Sequence, residues 1–436
     1  MWGDDGVSAH LIDVKTQGGV VTLTGTVENI LAKEKATDIT ECIIGVRSIV
    51  NRVNVAPGDM PDSELRRKVK DALLRDPAAD AYELDVTVTD GVVTLTGTVD
   101  SWQERQLSAA VAKGVDGVRD LRNKITVDHK MDRSDYEILT EIRARLANDV
   151  RVDDAMIKVE VNNGNVKLDG AVGSLAEKRR ARIDSSVAGV GDVDDTGLEI
   201  KWWARDEMRR KTDYISRTDE KIKAAVDAAF LYDPRVLSFG PKVEVKGGTV
   251  TLTGTVDNLR AKQAAQQDAE NTLGVWRVEN HLRVRPETVL ANHELERKIR
   301  DAFQQDPYLK RWDVDVSAYT GRVYLSGHVN NSFERDRAEF VAEGINGVVD
   351  IENTITFDHV WRWKPDWEIK QDVESELYWT PFVDSDDVKV SVEGGVVTLT
   401  GEVTTWSERR SAVENAFEAG AKDVVDKLAF TYGPAS

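Results

Sequence analysis

Between residues 84 and 96 apolar and polar side chains alternate: Leu84-Asp85-Val86-Thr87-Val88 is followed, beyond Asp90-Gly91, by Val93 and Leu95 interleaved with Thr94 and Thr96. A period of two on either side of an Asp-Gly turn predicts a β-hairpin with one buried face and one wet, hydroxyl-bearing face. Upstream, Leu65, Val69, Ala72 and Leu73 keep the spacing of a helix with one buried side, and Asp76-Pro77 stops it, because the residue before a proline is pushed out of the α region. The same positions recur as Leu295, Ile299, Ala302 and Phe303. Downstream, Ser101-Trp102-Gln103-Glu104 has the form of a capping box. It opens a second helix to about Lys113, and after Gly114 and Gly117 the segment Val118 to Val127 reads as a third strand. Helix, strand, strand, helix, strand is most simply packed as two helices on one face of a three-stranded sheet.

The strand phrase Gly-Val-Val-Thr-Leu-Thr-Gly-Thr-Val stands at residues 19–27 and again at 91–99, with looser copies beginning at Gly164, Gly248, Gly321 and Gly395. Repetition at this length means one folded unit has been copied. Its second glycine falls at Gly25, Gly97, Gly170, Gly254, Gly327 and Gly401, at intervals of 72, 73, 84, 73 and 74 residues. The long interval contains a charged stretch from Lys201 to Lys211, read as a linker or linking helix. Across that linker Asn123-Lys124-Ile125-Thr126-Val127-Asp128-His129 matches Asn353-Thr354-Ile355-Thr356-Phe357-Asp358-His359, and Asp135-Tyr136-Glu137-Ile138 matches Asp366-Trp367-Glu368-Ile369. A block of three units has been duplicated whole.

The expected fold class is α+β: six tandem αββαβ units, each with two helices on a three-stranded mixed sheet, over 1–57, 60–130, 131–201, 216–286, 290–360 and 364–432, with a linker at 202–215. Unit one has 24 residues before its repeat glycine where unit four has 38 counted from Ser216, so its first helix is missing. The expectation is that Met1 is a fragment boundary or a misassigned start, and that a signal peptide would have gone with the lost segment. The six repeat glycines flank a strand and do not open a helix. They point to a bulge or close backbone approach, not to a phosphate cradle.

Composition narrows the function classes. The net charge of −19 disfavours a general role on nucleic acid or anionic lipid, which need a basic footprint. Arg179-Arg180-Ala181-Arg182, on an expected helix, reads as a solvated face. Cys42 is the only cysteine, so no intramolecular disulfide forms. No apolar run reaches the roughly 18 residues of a membrane-spanning helix. The histidines, His10, His129, His281, His293, His328 and His359, are scattered, and no nucleophile elbow, Walker loop or dinucleotide fingerprint is present. His129 and His359, at equivalent strand ends, read as structural hydrogen-bonding groups. Asp384-Ser385-Asp386-Asp387 lacks the spacing of a calcium loop and reads as solvated charge.

The unit order, the glycine-flanked Val-Thr-Leu-Thr-Gly strand and the later Gly-Val turn before Asn resemble the BON domain, the bacterial OsmY and nodulation module, six times over. The resemblance implies a non-enzymatic binding or scaffolding module of the bacterial cell envelope, linked to osmotic or other envelope stress and in some members to phospholipid. It implies a periplasmic or membrane-associated setting, although forms without a signal sequence also occur. It supplies no catalytic residues and no cofactor. The partners it implies are envelope proteins, unfolded clients or phospholipid, with self-association through sheet edges as a further class.

Eleven tryptophans remain to be placed. Trp102 and Trp406 share a helix-start position with Ile30, Leu175, Leu259 and Phe333 and read as core or staple residues. Trp202 and Trp203 beside the linker, and Trp361-Arg362-Trp363 with Trp367 between units five and six, fall at junctions. They read either as unit-to-unit packing or as an aromatic and basic patch for a lipid interface or an unfolded client.

Overall fold

The computed structural model describes residues 7, 11–76, 84–99, 102–128, 133–201, 203–204, 217–237, 240–286, 290–357 and 364–431. Unit two shows the plan: a first helix, Asp62–Arg75, a hairpin of Leu84–Thr89 and Val92–Val99, a second helix, Trp102–Lys113, and a last strand, Asp120–Val127. The middle strand pairs antiparallel with its hairpin partner and parallel with the last strand, giving a mixed sheet. Val86, Val93 and Leu95 are buried beneath Leu65, Val69 and Leu73 of the first helix, while Asp85 and Arg122 point outward. Units three to six repeat the order, with first helices Asp135–Asn148, Asp219–Tyr232, Asn292–Phe303 and Asp366–Trp379 and second helices Leu175–Asp184, Leu259–Glu270, Ser332–Glu343 and Trp406–Glu418.

A recurring aspartate fastens the first helix to the hairpin. The Asp62 carboxylate accepts from the amides of Asp90 and Gly91 at 2.9 and 3.0 Å, Asp135 from Asn163 and Gly164 at 2.8 and 2.9 Å, and Asp366 from Gly394 and Gly395 at 2.9 and 2.8 Å. An ionised acceptor on two backbone N–H groups is among the stronger neutral-to-charged contacts. A close backbone approach occurs at Gly25, Gly170 and Gly401, whereas at Gly254 a Cβ would meet only ordinary contacts at 3.8 Å. A Cβ on Gly401, at φ +126°, would stand 1.9 Å from the Asp387 carbonyl oxygen, and one on Gly25, at φ +132°, 2.0 Å from that of Leu11. In units four and five the middle strand is interrupted at Gly254 and Gly327 and resumes for two residues at Thr255–Val256 and His328–Val329.

Unit one carries only Ile30–Glu41 on its sheet of Ile12–Gln17, Val20–Val27 and Ser48–Val55; among the described residues no helix precedes the sheet. Val14 is consequently 51% exposed, whereas Val86, its counterpart under the first helix of unit two, is 1% exposed.

The six units are one packed body. Units one and two share a continuous core, as do units four and five, while units three and six each keep their own. The junctions repeat by a pseudo-twofold relation between the triplets. Arg179 of unit three reaches Asp38 and Glu41 of unit one, and Arg410, at the same position in unit six, reaches Glu270 of unit four. The Leu273 amide of unit four donates to the Asn148 carbonyl of unit three at 2.9 Å; Ile44 of unit one donates to Trp379 of unit six at 3.2 Å in the equivalent places. Across the middle, Lys310 of unit five pairs with Asp116 of unit two at 2.8 Å, and Arg260 of unit four with Asp76 of unit two.

Candidate interaction site

The helical layers of five units face one another across a cavity of about 1600 Å³. Most of the cations on its walls are matched by carboxylates. Arg180 binds Asp149 through Nε at 2.6 Å and Nη2 at 2.5 Å, with Asp184 3.4 Å away; Arg337 clasps Asp306 with two contacts of 2.8 Å; Arg133 pairs with Glu141, and Lys113 with Glu34 of the neighbouring unit. The Arg179-Arg180-Ala181-Arg182 run is a solvated face in part: Arg179 is exposed and Arg182 partly so, yet its charges are matched by carboxylates. Arg179 joins two units, Arg180 belongs to a buried ionic cluster, and Arg182 stands 3.7 Å from Asp195. Charges three and four apart on one helix cannot reveal this, because the acids that take Arg179 belong to another unit.

The cluster around Arg180 lies at the seam of units three and four. It comprises Arg145 and Asp149, Arg180 and Asp184, and from unit four Asp233, Arg235 and Asp268, with Arg235 held to Asp233 at 2.5 Å. Burial, reinforced by the nearby Asp149 carboxylate, pushes the Asp184 carboxyl up to about 7, against the pull of Arg180 and Arg145. Burial likewise raises Asp268, next to Asp233. Each of these two carboxyls has one buried oxygen without a hydrogen-bond partner among the described residues, and a buried oxygen that nothing solvates disfavours the ionised form.

The junction aromatics divide. Trp202, Trp361, Arg362 and Trp363 lie outside the described residues, as do His10, His129 and His359 and most of the linker. Trp203 is 45% exposed. Trp367, in the first turn of its helix, is 67% exposed, and Tyr136, which holds the equivalent place in unit three and borders the cavity, is 77% exposed. The matched Asp-Tyr-Glu-Ile and Asp-Trp-Glu-Ile motifs thus place an exposed aromatic at the same position of each triplet. Trp406 packs on Phe430 at 5.4 Å between ring centroids, with Arg409 above it, as a core-edge residue. Trp102 is half-buried on the cavity wall. Among the described residues no group of three His, Cys, Asp or Glu side chains is placed to hold a metal ion, and no helix is long and apolar enough to cross a membrane.

Six consecutive segments, residues 3–57, 61–129, 134–201, 218–286, 291–358 and 365–432, match the BON domain, and the chain belongs to that family. It is 34% identical over 128 residues to the osmotically-inducible protein Y of Escherichia coli, a match covering 28% of this chain and 64% of that protein. It is 33% identical over 144 residues to the outer membrane lipoprotein DolP of Haemophilus influenzae, covering 32% of this chain and 74% of that protein. Among solved structures it is similar to the C-terminal domain of CdsD, a structural protein of the type III secretion system of Chlamydia trachomatis, at 15% identity over 44% of this chain and 91% of that one, with a TM-score of 0.14.

Proposed function

We propose that the chain is a non-enzymatic binding and scaffold protein of the envelope-stress type, which holds envelope components or unfolding clients by several weak contacts at once. The observation that carries this reading is the duplicated exposed aromatic, Tyr136 on one triplet and Trp367 on the other, fixed within one packed body. Two sites on a rigid frame convert a weak second contact into an intramolecular one, raising avidity by about 10²–10⁴-fold where the client spans both. The names of the relatives, an osmotically-inducible protein and an outer membrane lipoprotein, agree with that setting.

Light scattering of a reduced, aggregating insulin chain tests it. The wild-type protein is expected to suppress aggregation, Tyr136→Ser and Trp367→Ser to weaken suppression separately, and the double variant to lose more than either. Since both side chains are exposed, circular dichroism should be unchanged. No suppression, or an unaffected double variant, would remove the reading. Exposure of Trp203 and Trp367 supports a second one, peripheral binding to phospholipid. Co-sedimentation with anionic vesicles that survives Trp203→Ala and Trp367→Ala would discard these tryptophans as the lipid contact.

A further inference from the structure

We infer that the cavity between the helical layers binds a single-chain organic anion, an alkyl carboxylate or alkyl phosphate, whose charge is taken by Arg75 and Arg105 of unit two and whose apolar body lies along alanine walls. The site has Tyr136 on its border but uses neither of the two exposed aromatics, and it does not rest on the client-binding reading.

Three features on the page lead there. The first is the wall itself. Where helices meet in a packed core, larger aliphatic side chains fill the space between them; here the wall includes Ala72, Ala110, Ala144, Ala228 and Ala302, drawn from four units, beside larger apolar and charged side chains. Ala110 and Ala144 are exposed on the wall of this open cleft. A volume of about 1600 Å³ exceeds the usual range for small-molecule pockets of roughly 300–1,000 Å³. Trp102 and Leu107 add half-buried apolar surface on the unit-two side.

The second feature is an exception to the charge matching. Arg133, Arg179, Arg180, Arg260 and Arg337 on these walls each pair with a carboxylate. Among the described residues Arg75 and Arg105 find no carboxylate. Arg75 donates Nε to the Asp71 carbonyl at 3.0 Å and Nη2 to the Gln305 side-chain oxygen, both uncharged acceptors. Its nearest acidic influences, Asp71 and Asp301, act only at longer range, and burial pulls its guanidinium below the ordinary arginine value. Arg105 has a buried Nε with no hydrogen-bond partner. In a chain with 77 acidic residues, two cavity guanidiniums without a carboxylate are a deficit that an incoming anion would fill.

The third feature is selectivity. The guanidinium fork matches carboxylate and phosphate oxygens in paired hydrogen bonds. Elsewhere on the walls Lys113 and Arg260 are already taken by Glu34 and Asp76, so these cations offer little to the further charges of a polyanion. A ligand that gains from this site therefore needs one compact anionic end and an apolar remainder.

Isothermal titration of the full chain with monomeric octyl phosphate tests the inference, with octyltrimethylammonium, inorganic phosphate and anionic phospholipid vesicles as comparisons. Octyl phosphate is expected to bind with one strong site. Arg105→Gln and Arg75→Gln should each weaken it at least 10-fold, and Ala144→Leu, a change at an exposed position, should shift the affinity measurably by altering the apolar wall on which the chain lies. The cationic amphiphile and inorganic phosphate should bind at least 10-fold more weakly. Failure of octyl phosphate to bind, equal binding of the cationic analogue, affinity unchanged in Ala144→Leu, or binding confined to vesicles would each overturn it. Should an arginine variant fail to fold, the wild-type and Ala144→Leu proteins still decide the matter through the rise in melting temperature that ligand produces.

Discussion

Replacing Arg180 by alanine is expected to destabilise unit three by about 3–5 kcal/mol, the cost of leaving a buried carboxylate without its partner. Arg180 holds Asp149 with two contacts of 2.6 and 2.5 Å, and Asp149 has almost no exposure to water with which to replace them. The guanidinium also faces Asp184 and the field of Asp268 in the next unit, so its removal takes one shared cation from several acidic groups at the seam. Because six units need not unfold in one step, the measurement is hydrogen exchange of the amides in Asp135–Asn148 and Leu175–Asp184, read as local opening free energy. Arg182→Ala is the control. That residue is partly exposed and 3.7 Å from Asp195, and its loss should change the opening free energy by less than about 1 kcal/mol. Equal effects of the two substitutions would show that the Arg180 cluster is not a buried ionic unit.

The second large effect concerns pH. The Asp184 carboxyl has an ordinary value of 3.8 and is raised by burial to about 7 in the folded protein. Between those values the folded chain holds a proton that the unfolded chain has released. The stability this contributes is greatest in acid, falls as pH rises through the window, and is level above about 7. The full excursion is on the order of 4 kcal/mol at most. Asp268 and Glu343 are raised in the same sense by their own burial, Glu343 to about 7, so all three titrations act in one direction. Urea midpoints between pH 5 and pH 8 should therefore decline for the wild type. Asp184→Asn should decline less steeply and be the more stable protein at pH 8. Parallel profiles, or a midpoint that climbs with pH, would contradict the protonated state of Asp184.

The hairpins and first helices were legible in the sequence because their signal is local. Val93 and Leu95 alternate with threonine within one strand, and Leu65, Val69 and Leu73 recur along one helix. Copying strengthened that signal by presenting it several times, and the Asp-Tyr-Glu-Ile and Asp-Trp-Glu-Ile pair already marked the triplet as the duplicated block. Tertiary partners were not legible. Arg179 looks like one more surface charge until Asp38 and Glu41 are brought beside it from another unit. Ala110 and Ala144 look like ordinary helix formers, which alanine is in any helix; only the meeting of helices from separate units turns them into cavity wall. The clamp made by Asp62, Asp135 and Asp366 left a trace, an aspartate at a constant distance before the turn in these units and Asn292 in its place in unit five, but its meaning needed the helix and the turn to be side by side.

One relation ties these observations together: the two triplets close on each other through equivalent contacts, with the seam between units six and one formed without the linker that joins units three and four. Cleaving the chain at a protease site placed within residues 205–216 tests it directly. The two fragments are expected to remain together at low micromolar concentration and to elute at the mass of the uncut chain, 48.5 kDa, held by the contacts of Asn148 with Leu273, Trp379 with Ile44 and Asp116 with Lys310. Separation into two independent halves at that concentration would contradict the packed body, and with it the shared cavity.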